Sequence, residues 1–245
     1  MQLIYGIHPV EEAIKCDGET VKEIVVAAGR GGTSIRNIIS MASGKAIPIT
    51  FKDRPYLDNM ARCKNHQGII ALCEAYSYAE PDGVIFNRPS SKNNLVLVLD
   101  GITDPRNLGA LIRTAYCLGV NGIIIPENRA AAVTSTVIKA SAGAANRMPV
   151  ARVINLVRAI EYLQKRGFWI YGADVDGNTE ADKFDEDGPV VLAMGSEGKG
   201  LSPLVRKKCD FLLRIPMVGS VGSLNVSVAA GIIMYEILQK QRRER

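Results

Sequence analysis

Three separated stretches in the second half of the chain carry side chains that could do chemistry. They are Asp100–Arg113 (DGITDPRNLGALIR), Met194–Ser202 (MGSEGKGLS) and Arg214–Ser227 (RIPMVGSVGSLNVS). Each is a polar, glycine-rich turn just after a short apolar run. In α/β proteins such turns lie at the carboxyl ends of strands, where ligands bind. The second and third are nearly uncharged and suit a neutral, adenosine-type ligand held by backbone groups. The first adds Asn107 and Arg113, which could hold a phosphodiester. Gly195–Gly200 is not a phosphate-binding P-loop, because Gly200 is followed by Leu201. Nor does a dinucleotide fingerprint fit, because one starting at Gly198 would need a small residue where Pro203 stands.

Single residues in these stretches also have plainer readings. Asn107 could cap the following helix, and Arg113, six residues later, could lie on a solvated helix face. Glu197 and Lys199 could be solvated. Ser223, Asn225 and Ser227 could be caps or small packing residues at the start of the last helix.

The elements that must position these turns follow from apolar periodicity. Leu95–Leu99 is wholly apolar, as expected of a strand covered on both faces. A helix follows from Asn107 to Leu118, with Leu108, Leu111, Ile112, Ala115 and Leu118 on one face. Strands are expected at 122–125, 168–173, 189–194 and 211–215, and a last helix at about 224–242. This alternation implies a parallel sheet. Earlier in the chain, strands at 3–5, 23–27, 47–50 and 68–73 alternate with helices at 9–15, 34–43 and 54–61. Residues 79–93 break the pattern with Pro, Ser, Gly and Asn, the composition of a linker. The expected division is a small α/β domain at 1–78, a linker at 79–93 and a larger α/β domain at 94–245.

The three stretches resemble the motifs of the SpoU (TrmH-type) RNA ribose 2′-O-methyltransferases, a resemblance spanning roughly residues 94–240. Tyr5–Val10 (YGIHPV) and Asn65–Ile69 (NHQGI) are similar to the amino-terminal domain of one branch, the RlmB-type 23S rRNA guanosine-2′-O-methyltransferases. The resemblance implies a ribosomal-protein-like RNA-binding domain followed by a SPOUT-type domain with a carboxy-terminal trefoil knot. It also implies S-adenosylmethionine as methyl donor, no metal, a homodimer and large-subunit rRNA as partner. Arg113, Asn107, Glu197 and Asn225 become the expected catalytic set, with Arg113 nearest the ribose. Met194, Gly195, Ile215, Met217, Gly219, Ser223 and Leu224 are expected around the methyl donor, Gly195, Gly219 and Gly222 letting backbone approach the flat adenine. RNA is expected at Arg113 and Lys199, and at Arg30, Arg36, Arg62 and Lys64 of the first domain. The other readings are a tRNA methyltransferase, a non-catalytic RNA-binding or ribosome-assembly protein, and a nucleotide-dependent oxidoreductase. The missing dinucleotide fingerprint argues against the last.

Charge fits an RNA partner without demanding one. The net is +5; residues 1–78 hold nine Lys/Arg against eight Asp/Glu, and residues 94–245 hold nineteen against fifteen. The five cysteines form no C-x-x-C pair and only two histidines are present, so reduced thiols in a cytoplasmic protein are expected rather than disulfides or a metal. No basic-then-apolar leader begins the chain and no long charge-free span follows, so neither export nor membrane insertion is expected.

Overall fold

The computed structural model describes residues 1–18, 20–85, 94–184, 188–219 and 222–243, without the side chains of 2, 16, 17 and 241–243. The chain divides into two units, Met1–Ser77 and Tyr78–Arg245.

The first unit runs β1 (Gln2–Tyr5), α1 (Ile7–Asp17), β2 (Val21–Ala27), α2 (Thr33–Gly44), β3 (Ile49–Lys52), α3 (Arg54–Ala61) and β4 (Ile69–Cys73). The strands form one mixed sheet in the order β1-β4-β2-β3. Side chains alternate across it. Ile24, Val26, Ile69 and Ala71 face α1 and α2, whereas Val25 and Ile70 face Leu57 of α3. Asp53 caps α3 by accepting from the Tyr56 N–H at 3.1 Å. The loop from α3 to β4 turns through positive φ at Arg62, Gln67 and Gly68. It is held by a buried His66, whose Nε2 lies 2.7 Å from Asp58 Oδ1 and whose Nδ1 accepts from the Gly68 N–H at 3.1 Å.

The second unit holds α4 (Pro81–Ile85), β5 (Leu95–Asp100), α5 (Pro105–Leu118), β6 (Gly122–Pro126), α6 (Ser135–Ala140), β7 (Val150–Val153), α7 (Leu156–Gln164), β8 (Trp169–Ala173), β9 (Thr179–Glu180), β10 (Val190–Gly195), α8 (Pro203–Arg206), β11 (Phe211–Arg214) and α9 (Val226–Arg243). Seven strands make one sheet, β7-β6-β5-β10-β8-β11-β9. Every pairing in it is parallel. The apolar strands are buried on both faces. Val96 and Val98 join Val84, Ile85, Ile160 and Leu163 in one core. Leu95, Leu97 and Leu99 are buried on the other side.

The region expected as a linker differs from that reading. Residues 79–85 belong to the second unit: Ala79 N–H donates to Val150 O at 2.8 Å, and Val84 and Ile85 of α4 are buried. Apolar Val84 and Ile85 at one-turn spacing from Pro81 make this a docked helix despite its turn-rich composition. The rest of that stretch, 86–93, lies outside the described residues. The first long helix of this unit starts two residues before Asn107, because Asp104 caps it by accepting from the Arg106 N–H at 2.8 Å and Pro105 occupies its first turn. No described helix is long and apolar enough to cross a membrane.

Candidate functional site

The carboxyl ends of β5, β8, β10 and β11 point the same way because their pairing is parallel. The turns leaving β8, β10 and β11 and the first two turns of α9 enclose one cavity of about 470 Å³. That volume suits a ligand of nucleoside size or somewhat larger.

The turn after β10 closes on itself. Ser196 and Gly200 exchange backbone hydrogen bonds of 3.1 and 2.9 Å, with Gly198 and Gly200 at positive φ. Asp100, at the end of β5, accepts from the Ser202 N–H at 2.7 Å and ties this turn to the neighbouring strand. Gly195 is obligatory here, since a Cβ on it would lie 2.0 Å from the backbone carbon of Gly200. The close approach that glycine permits is therefore between two segments of the chain itself. Gly219 and Gly222 differ: a Cβ on either would meet nothing within 4 Å.

The cavity wall has an apolar part and a charged part. Met194, Leu201, Leu213, Ile215, Met217, Val226 and Ile233 supply the first, and Asp174, Asp176, Glu197, Lys199 and Arg206 the second. Arg206 Nε lies 2.6 Å from Asp174 Oδ2. Burial works against the Asp174 charge, but the Arg206 guanidinium and the Asp176 N–H outweigh it and hold the carboxyl below its ordinary range. Cys209 sits behind the wall, its thiol pushed up to about 12 by burial and by Asp210, so it is no nucleophile at neutral pH.

At Glu197 the wall meets a polar cluster that joins all three motifs. Asn225 Nδ2 donates to Glu197 Oε1 and to Asn107 Oδ1, the latter at 3.1 Å. The other end of the same amide caps α9: Asn225 Oδ1 accepts from the Ser227 N–H at 3.0 Å and from Ser227 Oγ at 2.6 Å. An amide has both a donor and an acceptor end, so the capping role and the bridging role coexist in Asn225. Asn107 has only the bridging role, since Asp104 does the capping.

Of the expected residues, Met194, Gly195, Ile215, Met217, Ser223, Leu224, Glu197 and Lys199 line the cavity. Gly219 does not. Arg113 does not line it either. It is exposed on α5 and forms no ion pair among the described residues. Helical geometry explains this: six residues carry Arg113 about 9 Å along the axis and roughly 120° around from Asn107. Arg30, Arg36, Arg62 and Lys64 are all exposed in the first unit. Sequence reasoning missed Ala173, which ends β8, Asp174, Val175 and Asp176, which follow it, and Arg206 of α8. The turn-like Asp174-Val-Asp-Gly177 after an apolar run was the available signal, but only the pairing of β8 beside β10 brings it to the site.

Comparison with known proteins matches residues 94–235 to the SpoU rRNA Methylase family, and residues 3–79 to RNA 2′-O ribose methyltransferase substrate-binding domains. A TrmH family tRNA/rRNA methyltransferase of Staphylococcus haemolyticus is 42% identical over 98% of this chain and 96% of its own length. The 23S rRNA (guanosine-2′-O-)-methyltransferase RlmB of Pseudomonas aeruginosa is 41% identical, covering 97% of this chain and 96% of its own. Among solved structures, the SpoU methyltransferase AviRb from Streptomyces viridochromogenes superposes with a TM-score of 0.65 at 25% identity, over 99% of this chain and 90% of its own.

Proposed function

The chain belongs to the SpoU rRNA methylase family, and on that premise we propose that it transfers a methyl group from S-adenosylmethionine to the ribose 2′-hydroxyl of a guanosine in 23S rRNA, acting in the cytoplasm as a homodimer. The observation that carries this reading is the Asn225 amide, which binds Asn107 and Glu197 at once and so brings the three motifs to one edge of the cavity. The 23S rRNA substrate is supported by the 41% identity to the Pseudomonas aeruginosa enzyme along nearly the full length of both chains.

The cavity fits the donor. Met194, Ile215 and Leu224 line it and give a flat base apolar contact, and backbone groups of the surrounding turns read the base edges. Bound there, the donor supplies a sulfonium methyl group. The residues of the chain must align a ribose hydroxyl and ease loss of its proton. Glu197, fixed by Asn225, and Asn107 orient the substrate at the mouth. Arg113 offers a planar fork of N–H donors, so its role is to hold a substrate phosphate or the hydroxyl and stabilise developing negative charge. A water or a substrate phosphate takes the proton.

The dimer has its own support. Val226, Ala230, Ile233 and Ile237, apolar residues of the last helix, are buried within the same chain. A different stripe of α9, Val228, Ile232 and Tyr235, is 50%, 39% and 51% exposed at one-turn spacing. Arg113 is on α5, which packs along α9, so a partner on that stripe would lie near it. The trefoil knot is part of the same proposal and rests on the convergence of the turns after β10 and β11 with the start of α9.

Mapping 2′-O-methylated riboses in RNA from cells lacking the protein tests the function. One guanosine of 23S rRNA should lose its methyl group and regain it on complementation, but not with the Arg113→Ala variant. A loss confined to tRNA would refute the substrate.

A further inference from the structure

The first unit is nearly neutral as a whole, yet its charges are segregated. Its sheet places the carboxyl ends of β1, β2 and β3 and the start of β4 at one end. Three hydrogen bonds knit that end together: Gly6 N to Ile69 O at 3.2 Å, Ala27 N to Gly68 O at 2.9 Å and Ala28 N to Lys52 O at 2.7 Å. The segments gathered there, 5–8, 28–33, 51–56 and 62–68, contain five cations and one anion. The rest of residues 1–77 contains four cations and seven anions. The one anion at this end, Asp53, is engaged in capping α3, and nearby Asp58 is engaged by His66.

Large rings stand exposed among these cations. Residues 51–56, Phe-Lys-Asp-Arg-Pro-Tyr, are exposed without a break at the edge strand β3 and the first turn of α3. Phe51 is 57% exposed and Tyr56 45%. Lys52 Nζ sits 5.6 Å from the centre of the Tyr56 ring. The Arg30 side chain lies against Gly68, whose positive φ and missing side chain leave room for it. An apolar partner would not require the surrounding cations, and a purely electrostatic contact with a duplex backbone would not require exposed rings. Cations for phosphates together with rings for bases match unpaired RNA.

We infer that this end of the first unit docks an unpaired stretch of the substrate RNA, with bases stacking on Phe51 and Tyr56 and phosphates held by Arg30, Lys52, Arg54 and Lys64. The Asp58–His66 pair is a positioning device that fixes the loop carrying Lys64. This rests on the reading of the chain as an RNA methyltransferase, and it names the form of RNA that the first unit selects.

The test compares binding of the full chain to an RNA hairpin with an unpaired loop and to a fully paired RNA duplex of equal length, by fluorescence anisotropy. The wild-type protein should prefer the hairpin. The double variant Phe51→Ala/Tyr56→Ala should weaken hairpin binding by roughly tenfold or more while S-adenosylhomocysteine affinity and Tm stay unchanged. The ring-keeping pair Phe51→Trp/Tyr56→Phe should bind as wild type, and so should Lys22→Gln, at the opposite end of the sheet. Equal binding of hairpin and duplex, or wild-type hairpin affinity in the Ala/Ala variant, overturns the inference. These readouts need no methyl transfer, so failure of the proposed reaction is a separate result.

Discussion

At the scale of residues, the site depends on one amide and one missing side chain. Asn225 spends its acceptor end on the cap of α9 and its donor end on Asn107 and Glu197. Asn225→Ala should therefore lower turnover by about a hundredfold through lost alignment. The stability cost should be only about 1 kcal/mol, the usual worth of a cap. Tritiated-methyl transfer and thermal unfolding measured on the same variant separate the two effects; unaltered turnover would remove the cluster from the mechanism. Gly195→Ala is predicted to be worse for the cavity than for the chemistry, since the new methyl would collide with backbone at Gly200 rather than with a side chain that can swing away. Overpacking of this kind costs roughly 1–3 kcal/mol or more. Calorimetry should show loss of S-adenosylhomocysteine binding, and a variant that binds normally would mean that the turn can relax.

At the scale of elements, the sequence was legible where periodicity was strong. The strand at 95–99 and the helix carrying Leu108, Leu111 and Ile112 are where apolar spacing puts them. Less legible was anything decided by a distant partner. Asn107 is compatible with a cap, and only the presence of Asp104 one turn earlier gives that role away. The turn after β8 joins the site through strand order, which no local pattern encodes. Likewise α4 reads as linker because Pro81, Asp82 and Gly83 precede its two apolar residues, but it is anchored. Tyr162 hydroxyl donates to Asp82, Arg166 lies 3.3 Å from the same carboxylate, and Val84 fits against Gly122 so closely that a Cβ there would come within 2.7 Å of its Cγ1. A chain beginning at Tyr78 should thus fold and bind S-adenosylhomocysteine. One beginning at Asn94 loses the buried Val84 and Ile85, each worth about 1.5–3 kcal/mol, and should melt roughly 10 °C lower. Differential scanning calorimetry of the two chains decides this; identical melting would return residues 79–85 to the status of a tether.

At the scale of the whole molecule, the exposed stripe on α9 sets the expected assembly. Ile232→Glu or Tyr235→Glu should convert a dimer to a monomer in sedimentation without unfolding the chain, because both side chains are partly exposed within the single subunit. A dimer that survives both changes would place the interface elsewhere. The strand order has a further consequence, for the timing of folding. β10 lies between β5 and β8, and it is made after both. Until Val190–Gly195 leaves the ribosome, the growing chain carries two apolar strands whose facing edges have no partner. The insertion of β10 must then join segments some ninety-five residues apart, Val190 against Leu95. Sheets closed by such late, distant pairing form slowly, and unpaired apolar edges invite association with other chains. A nascent chain halted before residue 190 is therefore expected to be a client of chaperones.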